Sequence, residues 1–138
     1  MKVIVCDAPF KISVKTEKDP KAKRGEVLVK LSYCGICVYD LKRYSGLKQV
    51  NYPLVLGHEP SGIIEEIGEG VQSLKKGDRV VVDVKKKCGE CPSCLRGQES
   101  RCAHAEASFG FAQYILVPQE NAFRISPDLD LKIATLTE

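Results

Sequence analysis

Cys88, Cys91, Cys94 and Cys102 follow one another at gaps of two, two and seven residues. Structural zinc takes four ligands in a closed tetrahedron, with sulfur at about 2.3 Å. A two-residue gap lets the chain turn back so that both sulfurs face one point. Gly89, Pro92 and Gly97 supply the tight local geometry. Residues 93–96 have room for a helical turn before Cys102 closes the site. Such a lobe holds few apolar side chains, so a metal would largely hold it together. Two other chemistries share the pattern. Thiols can stay free or pair as disulfides, and three cysteines at this spacing also occur in ferredoxin-type iron–sulfur motifs. There the fourth cysteine usually follows sooner and precedes proline, whereas Cys102 comes eight positions on and precedes Ala103. Zinc is the expected metal.

A second constellation joins two separate segments. One is Tyr33-Cys34-Gly35-Ile36-Cys37-Val38-Tyr39-Asp40, where a strand gives way to a short helix; the other is Gly57-His58-Glu59. A cysteine at a helix start is favoured as thiolate by the backbone N–H groups there. With an imidazole and a carboxylate it makes an asymmetric sulfur, nitrogen and oxygen set. That mixture suits catalytic zinc, which keeps a position open for water or substrate. On the residues alone other readings stay open. A single cysteine is usually core filler, a single His-Glu pair is usually surface, and Cys34 with Cys37 spells a Cys-x-x-Cys redox pair.

The elements that must position these groups read as short strands broken by turns. Apolar or alternating runs predict strands over 3–6, 12–16, 26–33, 63–67, 79–83, 109–118 and 121–125. The clearest is 26–33, with Val27, Val29, Leu31 and Tyr33 expected on one face. Helix is expected over 38–44, stopped by Ser45 and a left-handed Gly46, and again from 131 onward. Many short strands at regular spacing predict a barrel-like or sandwich architecture.

Composition agrees with one ordinary globular domain. The 138 residues are 43% hydrophobic and 28% charged. No apolar run approaches the length of a membrane helix. The first five residues carry one lysine and no cleavage site of small residues, so no secretory signal is read there and a cytoplasmic location is expected. Seven cysteines is an odd number, and in a reducing compartment regular spacing points to metal rather than disulfides. A net charge of +3 is too weak to argue for nucleic acid. Lys85-Lys86-Lys87, with Arg96 and Arg101, is expected to offset the negative charge of a tetrathiolate zinc site.

The motifs run in the order Gly-Ile-Cys-x-x-Asp, Gly-His-Glu-x-x-Gly, Gly-Asp-Arg-Val, the four-cysteine lobe and Phe-Ala-Gln-Tyr-Ile-Leu-Val-Pro. This order resembles the zinc-dependent medium-chain alcohol and polyol dehydrogenases over essentially the whole chain. The resemblance implies the N-terminal catalytic domain. Its fold is mainly β with a few short helices, a GroES-like partly open β-barrel with a protruding zinc lobe at about 85–105. It makes Cys37 and His58 the first two catalytic zinc ligands. Glu59 becomes the carboxylate that binds the metal directly or through water, and Asp40 the acid that bonds the histidine ligand. Cys34 matches no ligand position and is expected to be a packed or spare thiol; Cys6 and His104 fall outside the pattern. Tyr39 stands where serine or threonine commonly relays the substrate's proton. Glu138 resembles the glutamate ligand of polyol and sugar members, against the reading of a terminal glutamate there by chance.

The implied cofactors are zinc, with NAD or NADP in the complete enzyme, and the implied partner is a small alcohol, polyol or sugar. No Gly-x-Gly-x-x-Gly is present, because Gly68-Glu69-Gly70 runs into Val71-Gln72-Ser73. A coenzyme-binding Rossmann domain is therefore expected outside this chain, or on a separate polypeptide. Two functions follow: a dehydrogenase catalytic domain inactive alone, and a non-enzymatic zinc-binding module or one half of a split dehydrogenase. The face meeting a coenzyme domain is expected to be apolar, which predicts self-association into a homo-oligomer.

Overall fold

The structure is a computed structural model that describes residues 1–137; Glu138, the tentative ligand, lies outside the described residues. Among the described residues there are ten strands: β1 (Lys2–Ala8), β2 (Lys11–Thr16), β3 (Glu26–Gly35), β4 (Leu54–Val55), β5 (Glu59–Ile67), β6 (Arg79–Val82), β7 (Lys85–Lys86), β8 (Glu106–Ala107), β9 (Tyr114–Pro118) and β10 (Ala122–Arg124). Three short helices accompany them, α1 (Val38–Tyr44), α2 (Pro92–Leu95) and α3 (Leu131–Ala134).

The main sheet has the order β10-β6-β5-β3-β9 and is antiparallel throughout. Side chains two apart share a face, so Val27 and Val29, Val80 and Val82, and Ile115 and Val117 converge with Ile64 on one buried core. Each such side chain contributes about 1.5–3 kcal/mol when removed from water. A smaller sheet, ordered β2-β1-β4, closes over one end. The segment before β9 stitches the two sheets together. Ile4 donates to Phe111 O at 2.8 Å, Gln113 to Lys2 O at 3.1 Å, and Gly110 to Gly57 O at 2.9 Å. The result is a strongly curled sheet that stops short of a closed barrel, as expected.

Local departures from the sequence reading have backbone causes. The strand expected over 109–118 begins only at Tyr114, because residues 110–113 bond to the smaller sheet and to the turn at Leu56–Gly57. The pairing of β3 with β5 has two register shifts: Glu65 is the extra residue on β5 between the partners of Leu28 and Val29, and Ser32 is the extra residue on β3 between Leu31 and Tyr33. The residue inserted in β3 breaks its strict alternation. Tyr33, expected on the face of Val27 and Val29, is therefore exposed, and Leu28 is buried as well. β4, β7 and β8 have two residues each, too few for any alternation to show.

Residues 88–102 leave the barrel on a two-stranded neck. β7 pairs with β8, Lys85 opposite Ala107 and Lys86 opposite Glu106. Ser108 donates its N–H to Val84 O at 2.9 Å. Buried Asn121 fixes the root of the neck, donating from Nδ2 to Asp83 O at 2.8 Å and to Lys85 O at 2.7 Å. Lys87, the last residue before the lobe, is ion-paired with Asp83. α3 is capped by Asp130, which accepts from Lys132 N at 2.6 Å, and Ser61 Oγ ties it to the sheet through Leu131 O. Among the described residues no helix is long and apolar enough to cross a membrane.

Candidate metal centres

In the lobe, Cys91 and Cys94 sit at the start and middle of one helical turn. Pro92 is its first residue, and Leu95 N donates to Cys91 O at 3.0 Å. Cys88 precedes the turn and Cys102 returns from a 3₁₀ turn over Glu99–Arg101. The sulfurs come together at 3.5 Å (Cys88–Cys102), 3.6 Å (Cys91–Cys94) and 4.0 Å (Cys88–Cys94 and Cys91–Cys102). A tetrahedron with metal–sulfur bonds of about 2.3 Å has sulfur–sulfur edges of about 3.8 Å, and the observed edges bracket that length. A disulfide needs about 2.05 Å, and none of these sulfur pairs comes near it. A cluster of several irons with its own sulfides would hold the four thiolates farther apart. The donor set therefore fits one divalent ion.

The backbone prepares the lobe for negative charge. N–H groups of Cys94 and Ala103 hold the Cys91 thiol down to about 6, and that of Cys88 lowers Cys102, donating at 3.4 Å. Loss of solvent pushes Cys94 up to about 12. Exposed His104 is in neither group of candidate ligands among the described residues.

The second centre forms where β3 ends, α1 begins and β5 enters. Cys37 caps α1, while His58 and Glu59 arrive from the turn into β5. One ligand atom from each of Cys37, His58 and Glu59 lies within 4.8 Å of the others, and all three side chains are partly exposed. Asp40, only 2% exposed, organises the group from behind. Its Oδ2 accepts from Cys37 N at 3.1 Å, and its Oδ1 accepts from Gly57 N at 3.0 Å and faces His58 Nδ1 at 3.3 Å. A proton on Nδ1 turned toward Asp40 leaves Nε2 with the lone pair a metal needs. A cavity of about 550 Å³ reaches Glu59 from the side of the lobe, lined also by Asp83, Lys85, Glu99 and Thr135.

Two glycines make this packing work. Gly35 lies opposite Glu59 in the β3–β5 ladder, and a Cβ there would fall 2.0 Å from Glu59 Oε2. Gly57 has φ +91°, and a Cβ on it would meet the Phe111 ring at 2.5 Å. Both were visible in the motifs as the residues flanking Cys37 and His58, but spacing alone gave them no role. Cys34 does not join the centre; its sulfur fills the space beside Gly57 and Gly110, as expected for a packed thiol. Buried Cys6 is likewise raised above the usual thiol range by its loss of solvent. Tyr39 stands beside the imidazole, its ring edge-on to His58 at 6.1 Å. Arg43, which sequence reasoning passed over, lies one turn on with its guanidinium 4.3 Å from the Tyr39 ring centre.

Residues 23–127 match the family model of the alcohol dehydrogenase GroES-like domain. Galactitol 1-phosphate 5-dehydrogenase of Escherichia coli K12 is 35% identical over the whole chain, which covers 42% of that enzyme. The crystal structure of the Escherichia coli galactitol-1-phosphate dehydrogenase superposes with a TM-score of 0.90 over 98% of this chain and 41% of that one, at 35% identity. The RspB alcohol dehydrogenase of Escherichia coli CFT073, solved with NADH, gives a TM-score of 0.88 at 36% identity, over 98% and 41% of the two chains. Zinc-type alcohol dehydrogenase B of Aspergillus flavus is 35% identical over 86% of this chain and 29% of its own length. The chain thus spans about two-fifths of the length of the first two relatives and less of the third.

Proposed function

Because the chain belongs to the alcohol dehydrogenase GroES-like domain family, we propose that it is the zinc-binding catalytic domain of an NAD(P)-dependent dehydrogenase of alcohols, polyols or sugars. The observation that carries this reading is the convergence of Cys37, His58 and Glu59 within 4.8 Å, on the exposed side of a buried Asp40. Three protein ligands of mixed type leave a tetrahedral ion one position for an exchangeable oxygen. The names of the relatives, with zinc in one and NADH beside another, point the same way.

In this reading Cys37 and His58 hold the ion, and Glu59 completes the set directly or through water. Asp40 keeps the His58 imidazole in the metal-binding tautomer and, through Gly57 N and Cys37 N, fixes the spacing of the two loops. When bound, zinc supplies Lewis acidity that eases loss of a proton from an alcohol oxygen. Tyr39 Oη takes up and passes on that proton, and its own position is held by Arg43 Nη2, which donates to it at 3.3 Å. The hydride acceptor is a nicotinamide held by a dinucleotide-binding unit outside residues 1–138. Cys88, Cys91, Cys94 and Cys102 bind a second zinc whose role is to hold the lobe.

Metal analysis of the purified chain is expected to give two zinc ions, falling to one in Cys37→Ser. Reduction of NAD(P) by alcohols and polyols is expected only when a dinucleotide-binding partner is added. One zinc per chain, unchanged by Cys37→Ser, would remove the second centre and leave a zinc-binding module.

A further inference from the structure

We propose that one face of the β1–β2 hairpin carries a ligand site, separate from both metal centres, that takes a medium-chain carboxylate: an extended apolar chain ending in one negative charge. Two apolar spaces adjoin there. One, of about 280 Å³, is a cavity beside α1, lined by Cys6, Leu41, Tyr44 and Leu56 among others. The other, of about 630 Å³, is a groove reached by Lys2, Val14, Leu31 and Tyr33. Ile4, Ile12, Ile36 and Phe111 line both. An apolar cavity of about 150 Å³ already takes up benzene, and each of these spaces is larger.

Strand register gives the site its direction. Side chains two apart share a face of a strand, so Lys2, Ile4 and Cys6 stand in a row along β1, while Val3 and Val5 are buried on its other face. Lys2 lines only the groove, Ile4 both spaces, and Cys6 only the cavity. On β2, Val14 lies opposite Ile4 and Ile12 opposite Cys6. The long axis therefore follows β1 from buried Cys6 to exposed Lys2, roughly 14 Å at about 3.4 Å per residue. The polar atoms of the cavity are already engaged. Asp40 accepts from Cys37 N and Gly57 N and faces His58, Tyr44 Oη donates to Phe10 O at 3.3 Å, and Cys6 Sγ donates to Ala8 O at 3.3 Å. That end has only apolar contact to offer, which suits a methyl terminus. At the other end Lys2 is in no ion pair among the described residues, and its ammonium complements a carboxylate. Between the two ends Ile4, Ile12, Val14 and Ile36 are exposed, and covering them with an alkyl chain is favourable.

Titration calorimetry on the zinc-loaded chain, at a concentration where it sediments as a monomer, compares decanoate, decanol and butyrate. One decanoate is expected per chain, bound at least tenfold more tightly than butyrate, which is too short to reach from Lys2 into the cavity, and severalfold more tightly than decanol. Ile12→Trp fills the junction of the two spaces, and Val14→Glu sets a negative charge in the groove. Each is expected to cut decanoate binding at least tenfold, and both positions are exposed, so one variant reports if the other folds poorly. Lys2→Gln is expected to bring decanoate down to the level of decanol and to leave decanol unchanged. No decanoate uptake, equal affinity for decanoate and decanol in the unaltered chain, or full uptake in Ile12→Trp and Val14→Glu would overturn the proposal. So would loss of binding in Cys37→Ser, which assigns the carboxylate to the second metal centre. Self-association that Ile12→Trp abolishes, in a chain that takes up no decanoate, would give this face to a second copy instead. The site does not depend on the dehydrogenase reading: unchanged uptake in Cys37→Ser supports it whatever the zinc count.

Discussion

Asp40 receives two backbone N–H groups and faces an imidazole, so neutralising it is felt in both loops of the second centre. Asp40→Asn is expected to weaken zinc at Cys37 and His58 by about 10–100-fold, read by competition with a chelator, while the lobe zinc is unaffected. Gly35→Ala acts from the opposite side. Its Cβ would sit where Glu59 Oε2 now lies, and the carboxylate is the mobile end of a flexible side chain. The substitution is therefore expected to shift Glu59 and lower affinity at that centre alone, with little change in thermal unfolding. That Cys37, His58 and Glu59 come together with Asp40 behind them was legible from spacing and resemblance, because a metal centre restricts residue identity strongly. Arg43 was not, since one more basic residue on a short helix reads as solvated surface until its contacts with Tyr39 and Phe109 are seen.

At the scale of elements, the lobe depends on how its root is fixed. Removing the Asn121 amide leaves the carbonyls of Asp83 and Lys85 without their donor at a buried position. Asn121→Ala is expected to cost about 1–3 kcal/mol, seen in thermal unfolding, and to speed zinc release to a chromogenic chelator. The lobe's own charge state gives a second prediction. Cys91, held down to about 6, is already largely ionised at pH 7, whereas Cys94, pushed up to about 12, is not. Calorimetry in buffers of different ionisation enthalpy should show fewer than four protons released per zinc bound in the lobe. Affinity should fall as pH drops through about 6, where protons return to Cys91. Strand positions over 26–33 and 79–83 were readable because buried valines alternate there. The bulge in β3 was not, because an inserted residue leaves no mark in composition, and it decides why Tyr33 faces solvent.

Across the whole molecule, the curled sheet leaves a set of large apolar side chains in water. Ile36 and Val38, on either side of Cys37 in the sequence, are 68% and 62% exposed, and Leu47 is 83% exposed beyond α1. Exposure of this kind predicts association: the isolated chain should sediment heavier as its concentration rises, and Ile36→Ser with Val38→Ser should return it toward monomer. The barrel itself was legible from strand spacing and resemblance, but the crossing at 110–113 that joins its two sheets was not, since it forms through pairing between distant segments. The neck carries a different consequence. Because Lys85 and Ala107 sit side by side in the ladder, the intervening residues form a cassette whose two ends already meet. Replacing 87–105 with a tight Asn-Gly hairpin should leave the β circular-dichroism spectrum of the barrel intact, and the same cassette should be transplantable onto any hairpin of matching twist.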